Sequence, residues 1–133
     1  MSSYTVEDNQ VPEMQQNLEL LQEMSFFSHL PGKAMKLLAF LAERDHFSEG
    51  DVLFEEGDDH GRAYLILTGR LNLLKQSEDE KVVVHQFAEG DFLGSFSLLG
   101  AMPALFTLQA ASETTVLTIN RKQFSKILEQ FPE

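Results

Sequence analysis

The chain has 133 residues, 43% of them apolar, with eleven phenylalanines and no cysteine. That length suits one domain around one core, and the absence of cysteine excludes disulfides and thiolate metal sites. Twenty-one acids against ten lysines and arginines give a formal charge of -11, which repels nucleic-acid phosphates and anionic membranes. The acids are spread in patches such as "EEGDD" and "SEDEK", a pattern that reads as a solvated surface or a face for a basic partner.

The first residues, "MSSYTVEDNQVPEM", hold neither a basic n-region nor an apolar h-region, so no secretory signal is read there. No apolar run approaches the roughly 20 residues of a membrane span, and the cytoplasm is the expected compartment. Residues 1–12 are polar and are expected to form a mobile tail. Residues 13–133 are expected to form a single domain.

Pro12 opens a helical stretch in which Met14, Leu18, Leu21 and Met24 recur at helical spacing. After "HLPG", Met35, Leu38, Ala39 and Ala42 share one face, broadened by Leu37 and Leu41. The break at Pro31-Gly32 makes a helical hairpin over 13–44. Its mostly apolar surface lacks the Arg, Lys, Asn or Gln that a DNA-recognition helix would present.

From Phe47 the period shortens. "DVLFEEGD", "RAYLILTG", "RLNLLKQ", "KVVVHQF", "DFLGSF" and "TTVLTIN" read as strands or strand ends between Gly and Asp turns. Their spacing of about 8 to 12 residues favours a sandwich or barrel over 46–119, and "QSEDEK" reads as a hairpin tip. Two stretches, "FSEGDVL" at 47–53 and "FAEGDFL" at 87–93, share the pattern Phe-x-Glu-Gly-Asp-x-Leu. There Gly supplies a backbone angle that other residues resist, Asp caps the turn that follows, and each Phe is expected to anchor its corner in the core. Gly57 and Gly69 mark further corners. Asn120 is an N-cap for a last helix over 121–131, striped by Phe124, Ile127, Leu128 and Phe131, with Gln123 placed for a capping box and Pro132 as its stop. The fold class is therefore mainly β with flanking α: a β-roll, jelly-roll-like, with N-terminal helices and a short C-terminal helix.

This order, together with "FSEGDVLFEEGDDHGRAYLILTGRLNLL", resembles the cyclic nucleotide-binding domain, the sensory module of catabolite activator proteins, protein kinase A regulatory subunits and gated channels. The resemblance covers roughly residues 18–131. It implies a phosphate-binding cassette of the form Gly-Glu-Leu-Ala-Leu, then Pro-Arg-Ala-Ala-Thr. In such a cassette the Glu holds the ribose 2′-hydroxyl, the Arg pairs with the cyclic phosphate, and a short helix N-terminus adds N–H groups. Here the stretch reads Gly94-Ser95-Phe96-Ser97-Leu98, then Pro103-Ala104-Leu105-Phe106-Thr107. Gly94, Leu98, Pro103 and Thr107 match, whereas Ser95 replaces the Glu and Ala104 the Arg.

Each charge-assisted bond contributes roughly 1.5–3 kcal/mol. Losing both anchors should weaken binding of cyclic AMP (cAMP) or cyclic GMP (cGMP) by on the order of 10³-fold. Three readings stay open for the pocket: a vestige filled by Leu105 and Phe106, a site for an unusual and more apolar ligand, and a weak cyclic nucleotide site. The ligand-binding candidates are Gly94, Ser95, Phe96, Ser97, Ala104, Leu105 and Thr107. Arg62 and Arg70 are the bases nearest the roll's first half, read either as reaching the pocket from a neighbouring strand in place of Ala104 or as surface arginines.

The other chemistries find little footing. His29, His46, His60 and His85 form no His-x-His or Glu-x-x-His pattern, so no metal is expected and the histidines read as surface or turn residues. No nucleophile elbow, P-loop or dinucleotide fingerprint occurs. Phe54 and Tyr64 read as core residues. The expectation is a non-catalytic regulatory module with no cofactor beyond a candidate cyclic nucleotide ligand, acting through ligand- or partner-dependent movement of its helices. The alternative is a protein–protein scaffold whose apolar helices meet a partner or a second copy, as in a homodimer. Nucleic-acid and membrane partners are excluded on charge, and no counterpart of a DNA-binding winged helix is read.

Overall fold

A computed structural model describes the backbone of residues 2–131 and the side chains of 12–131. The chain forms two compact units, Met1–Ala42 with Gln123–Glu133, and Glu43–Lys122.

The first unit is helical. Helix α1 spans Ser2–Gln22, a single 3₁₀ turn covers Ser25–Phe27, and α2 spans Gly32–Leu41. The backbone of residues 2–12, expected to form a tail, is helical here. Pro12 lies inside α1, where it cannot donate a helical hydrogen bond and its ring crowds the preceding turn. Leu18, Leu21, Met35, Leu38 and Ala39 are buried as the 3.6-residue period requires. Asn17 is buried with them and donates Nδ2–H to the Ala39 carbonyl at 3.2 Å, which offsets the cost of burying an amide.

Helix α4 spans Arg121–Gln130. Its first turn is capped as expected, since Asn120 Oδ1 accepts the Lys122 N–H at 2.7 Å. Within the helical unit the Phe124 ring lies 5.8 Å from Phe27 and 6.0 Å from Phe26. Ile127 is buried, but Leu128 is 39% exposed, so the apolar stripe is narrower than expected. Pro132 lies outside the described residues.

The second unit is the β-roll, built from two four-stranded antiparallel sheets ordered β1-β8-β3-β6 and β2-β7-β4-β5. The strands are β1 Glu43–Phe47, β2 Val52–Phe54, β3 Arg62–Thr68, β4 Arg70–Ser77, β5 Glu80–Ala88, β6 Phe92–Leu93, β7 Thr107–Ala110 and β8 Thr114–Asn120. Between the sheets lie Leu53, Tyr64, Ile66, Leu71, Leu108, Ala110 and Val116, with Phe47 and Phe87 packed against them, as the inward anchoring of both corners requires.

Two strands went unread in the sequence. β1 is polar ("ERDHF") and is held as an edge by backbone pairing with β8, so no apolar alternation marks it. β7 begins at Thr107, inside what reads as loop. "DFLGSF" is also only partly strand: Gly94, at φ 91°, turns the chain after Leu93, and Ser95–Leu99 form a short helix, α3. β5 is paired only on one side, and its Val82, Val83 and Val84 are exposed.

The Phe-x-Glu-Gly-Asp corner occurs three times rather than two, the third copy being Phe54–Asp58. In each copy Gly sits near φ 92–96°, the third turn position of a type II turn that favours glycine. Asp51, Asp58 and Asp91 each use a carboxylate oxygen to accept the N–H three residues earlier, at 2.8, 3.0 and 2.8 Å. The aspartates thus close the turn that precedes them, and do not cap the one that follows. Each glycine N–H then crosses to another segment: Gly50 to the Ala110 carbonyl, Gly57 to Ala104 and Gly90 to Ile66.

Candidate functional site

The β6–α3 turn is pressed onto β3. A Cβ on Gly94 would stand 2.6 Å from the Arg62 carbonyl oxygen, so only glycine allows that approach. The cassette leaves α3, loops through Pro103 and returns at β7. Its middle is clamped to the third corner: Ala104 N–H donates to the Asp58 carbonyl and its carbonyl accepts from Gly57 N–H, both at 2.7 Å. Between α3, this loop and the sheet face lies a cavity of about 350 Å³, within the range of small-molecule sites.

Of the seven residues singled out in the sequence, six line this cavity: Gly94, Ser95, Phe96, Ser97, Ala104 and Leu105. Thr107 does not. Its hydroxyl is buried and accepts the Glu56 N–H at 3.0 Å, which ties β7 to the third corner. Of the two side chains expected to fill the pocket, Leu105 is 69% exposed and stands at the rim, while Phe106 forms part of the wall. Phe96 is also exposed, at 71%.

The remaining walls come from residues that the sequence reading left elsewhere. Phe54, Leu73, Phe92, Leu93 and Phe106 are apolar walls, and among the described residues His60 is the one ionisable member of the lining. The His60 ring stacks on Phe54 with centroids 3.9 Å apart and planes 5° from parallel, with Tyr64 beyond at 6.3 Å. Its Nδ1 accepts the Arg62 N–H at 3.2 Å, and its Nε2 lies 3.5 Å from Ser97 Oγ. Burial, reinforced by the Arg62 charge, holds its pKa below the ordinary histidine value. The third Phe-x-Glu-Gly-Asp copy was the available signal, since it sets Phe54 and His60 six residues apart around one turn.

Neither Arg62 nor Arg70 lines the cavity. Two cations beside the cassette, Arg121 and Lys75, are both paired with acids. Arg121 Nε donates to the Ser97 carbonyl at 2.6 Å, while its Nη groups bond the Asp59 carboxylate. Asp59 Oδ1 also accepts the Met102 N–H at 3.2 Å. The hydrogen bond from Arg121, then that from Met102, holds the Asp59 carboxyl below its usual pKa. Lys75 Nζ donates to Glu56 at 3.0 Å and to the Leu105 carbonyl at 3.3 Å, and its hydrogen bond lowers the Glu56 pKa. Both cations brace the cassette from outside the cavity. Among the described residues no cluster of three His, Asp or Glu is placed to hold a metal ion.

The architecture is thus a β-roll whose glycine-led short helix and returning loop border a cavity. The chain belongs to the cyclic nucleotide-binding domain family, whose model matches residues 44–131. A cyclic nucleotide-binding-like protein from Brucella abortus superposes with a TM-score of 0.78 at 32% identity, over 86% of this chain and 98% of that one. The lysophospholipase nte1 of Neurospora crassa is 32% identical over 70% of this chain, but this covers 6% of that protein. A cAMP-dependent protein kinase regulatory subunit of Debaryomyces hansenii is 26% identical over 83% of this chain and 24% of that protein. The chain thus spans a quarter or less of these two curated relatives. No helix among the described residues is long and apolar enough to cross a membrane.

Proposed function

We propose that this chain is a non-catalytic regulatory module whose cassette cavity still admits a small ligand but grips cyclic nucleotides weakly. One observation carries the reading. The cavity is open at about 350 Å³, yet among the described residues its lining holds no arginine, lysine or acid. Ser95 and Ala104 stand on its wall where the family's sugar- and phosphate-holding residues would be, and Arg121 is committed to Asp59. An anion entering would lose hydration without gaining a countercharge, and the net charge of -11 opposes it further.

Transmission would run through Arg121. It is the first residue of α4 and it donates to the Ser97 carbonyl on the cavity wall. A ligand that displaces α3 loads this bond, and with it the first turn of the helix. A cytoplasmic address fits the composition and this role.

The test is calorimetric titration of the full chain with cAMP and cGMP, paired with thermal melting. We expect dissociation constants in the high micromolar range or weaker, and little rise in Tm at moderate nucleotide concentration. A low-micromolar constant for either nucleotide refutes the reading.

The scaffold reading draws support from a different feature, the exposure of Phe40, Phe96, Leu99 and Leu105. Self-association abolished by F40S or L105S would favour this second reading.

A further inference from the structure

The identity of the ligand can be narrowed from the polar groups that face the cavity, on the reading that the cavity is a ligand site. The His60 ring is fixed on both sides. Its face lies flat on Phe54 at 3.9 Å, and its Nδ1 is occupied as an acceptor by the Arg62 backbone N–H. A nitrogen that accepts an N–H bond carries no proton, so the neutral ring must hold its proton on Nε2. That N–H faces Ser97 Oγ at 3.5 Å, a separation at which a hydrogen bond is weak. A ligand acceptor at ordinary distance would therefore capture it.

The groups that bear on this ring's charge are Asp58, Asp59, Arg62 and Arg121. Burial and the two arginines oppose protonation, and the two aspartates favour it; the balance lowers the pKa. Near neutral pH the cavity therefore offers one aimed, uncharged N–H donor. It adds the Ser95 and Ser97 hydroxyls, and walls that are otherwise mostly aromatic and aliphatic. A flat ring can lie along those walls, and an acceptor on its edge can take the His60 proton.

We propose that the cavity binds an uncharged heteroaromatic compound of nucleoside size, and that His60 is the residue that selects it by donating Nε2–H to an acceptor on the ring edge. The same arrangement discriminates against the phosphorylated counterpart, because adding a cyclic phosphate brings a charge the walls cannot answer. Guanosine and adenosine, each compared with its 3′,5′-cyclic phosphate, differ in that charge and serve as probes.

Titrate the full-length protein by calorimetry with guanosine, adenosine, cGMP and cAMP at one ionic strength. Repeat with His60→Phe, which keeps the ring stacked on Phe54 but has no donor, and with His60→Gln, which restores an N–H donor. Record the ¹⁵N signals of the His60 ring with and without nucleoside. We expect at least one nucleoside to bind at least tenfold more tightly than its cyclic phosphate. His60→Phe should lose at least tenfold of that affinity with a near-native Tm, His60→Gln should recover part of it, and Nε2 should be the protonated nitrogen.

Tight cyclic nucleotide binding sinks the weak-grip reading above. Weak binding of all four probes leaves that reading standing and overturns the present proposal. Nucleoside binding unchanged in His60→Phe, or a proton found on Nδ1, overturns the role of His60.

Discussion

Replacing Ala104 with arginine should rebuild an anion site. Ala104 is half-buried on the cavity wall, and its backbone is pinned on both sides to the third corner by 2.7 Å bonds with Gly57 and Asp58. The pinned backbone fixes the Cα–Cβ direction of a side chain added there, although the arginine's own rotamer freedom is still lost on binding. A guanidinium meeting a phosphate in two charge-assisted bonds contributes roughly 1.5–3 kcal/mol per bond. The lower end of that range, two bonds at about 1.5 kcal/mol, gives about 10²-fold in affinity. The acidic surroundings reduce the gain, because Asp58 and Asp59 on the neighbouring corner compete for the new cation. A104R should therefore tighten cAMP or cGMP by between about 10- and 100-fold, and A104R with S95E by roughly a further decade. Calorimetry at fixed ionic strength measures this, and A104Q supplies a shorter, uncharged hydrogen-bonding control. The gain should shrink as salt is raised. If A104R melts like the wild type and binds cAMP and cGMP no better than A104Q, then the missing countercharge is not what weakens the site.

Three further outcomes follow from the geometry. Arg121→Gln removes the charged donor to the Ser97 carbonyl and should cost about 1–2 kcal/mol, lowering Tm by several degrees and speeding amide exchange in α3. Gly69→Ala should cost at least about 2 kcal/mol, because the residue sits at φ 96° and an added Cβ would stand 2.4 Å from both the Glu113 carbonyl and Thr114 Oγ1; chemical denaturation with an unchanged m-value would read this. Stability should also fall in two acid windows. The folded-state pKa of His60 is lowered from 6.5, so the unfolded chain takes its proton first and stability declines as pH drops below about 6.5 until the folded ring is also protonated. The folded-state pKa of Asp59 is lowered from 3.8, so its contribution is intact above that value and is lost as pH falls through the folded one. In a melting series against pH, H60F should flatten the first window and D59N should remove part of the second.

The roll was legible because its corners are written in glycine and aspartate. A type II turn needs a positive φ at one position, and Gly50, Gly57 and Gly90 supply it, so the chemistry of a single residue reports the backbone directly. Strands β3, β4 and β8 carry buried apolar residues and announce themselves by composition. β1 does not, because an edge strand needs a paired backbone and makes no demand on side-chain polarity. The cassette followed the same division. Gly94 matches the leading glycine of the family's cassette and could be placed from that resemblance, and its clash distance to Arg62 shows why glycine is needed there, whereas the direction of Leu105 depends on how the loop returns to β7. An exposed leucine and a plugging leucine have the same letter and the same neighbours.

The charges show the same limit more sharply. Ser95 and Ala104 announced what the cavity lacks, but no spacing rule joins residue 121 to residue 59 or residue 75 to residue 56. Those pairs exist only because the roll brings distant corners together, and they decide which cations are available. Arg121 reaches the cavity wall through the Ser97 carbonyl, and its guanidinium is engaged by Asp59. With Asp59 opposite it, a phosphate would have to displace a carboxylate that also accepts from Met102. Such an exchange gives up a formed ion pair to make another, so its net gain is small. The neutrality of this site thus rests as much on an aspartate outside the cavity as on the alanine within it. D59N combined with A104R should accordingly bind cyclic nucleotide more tightly than A104R alone.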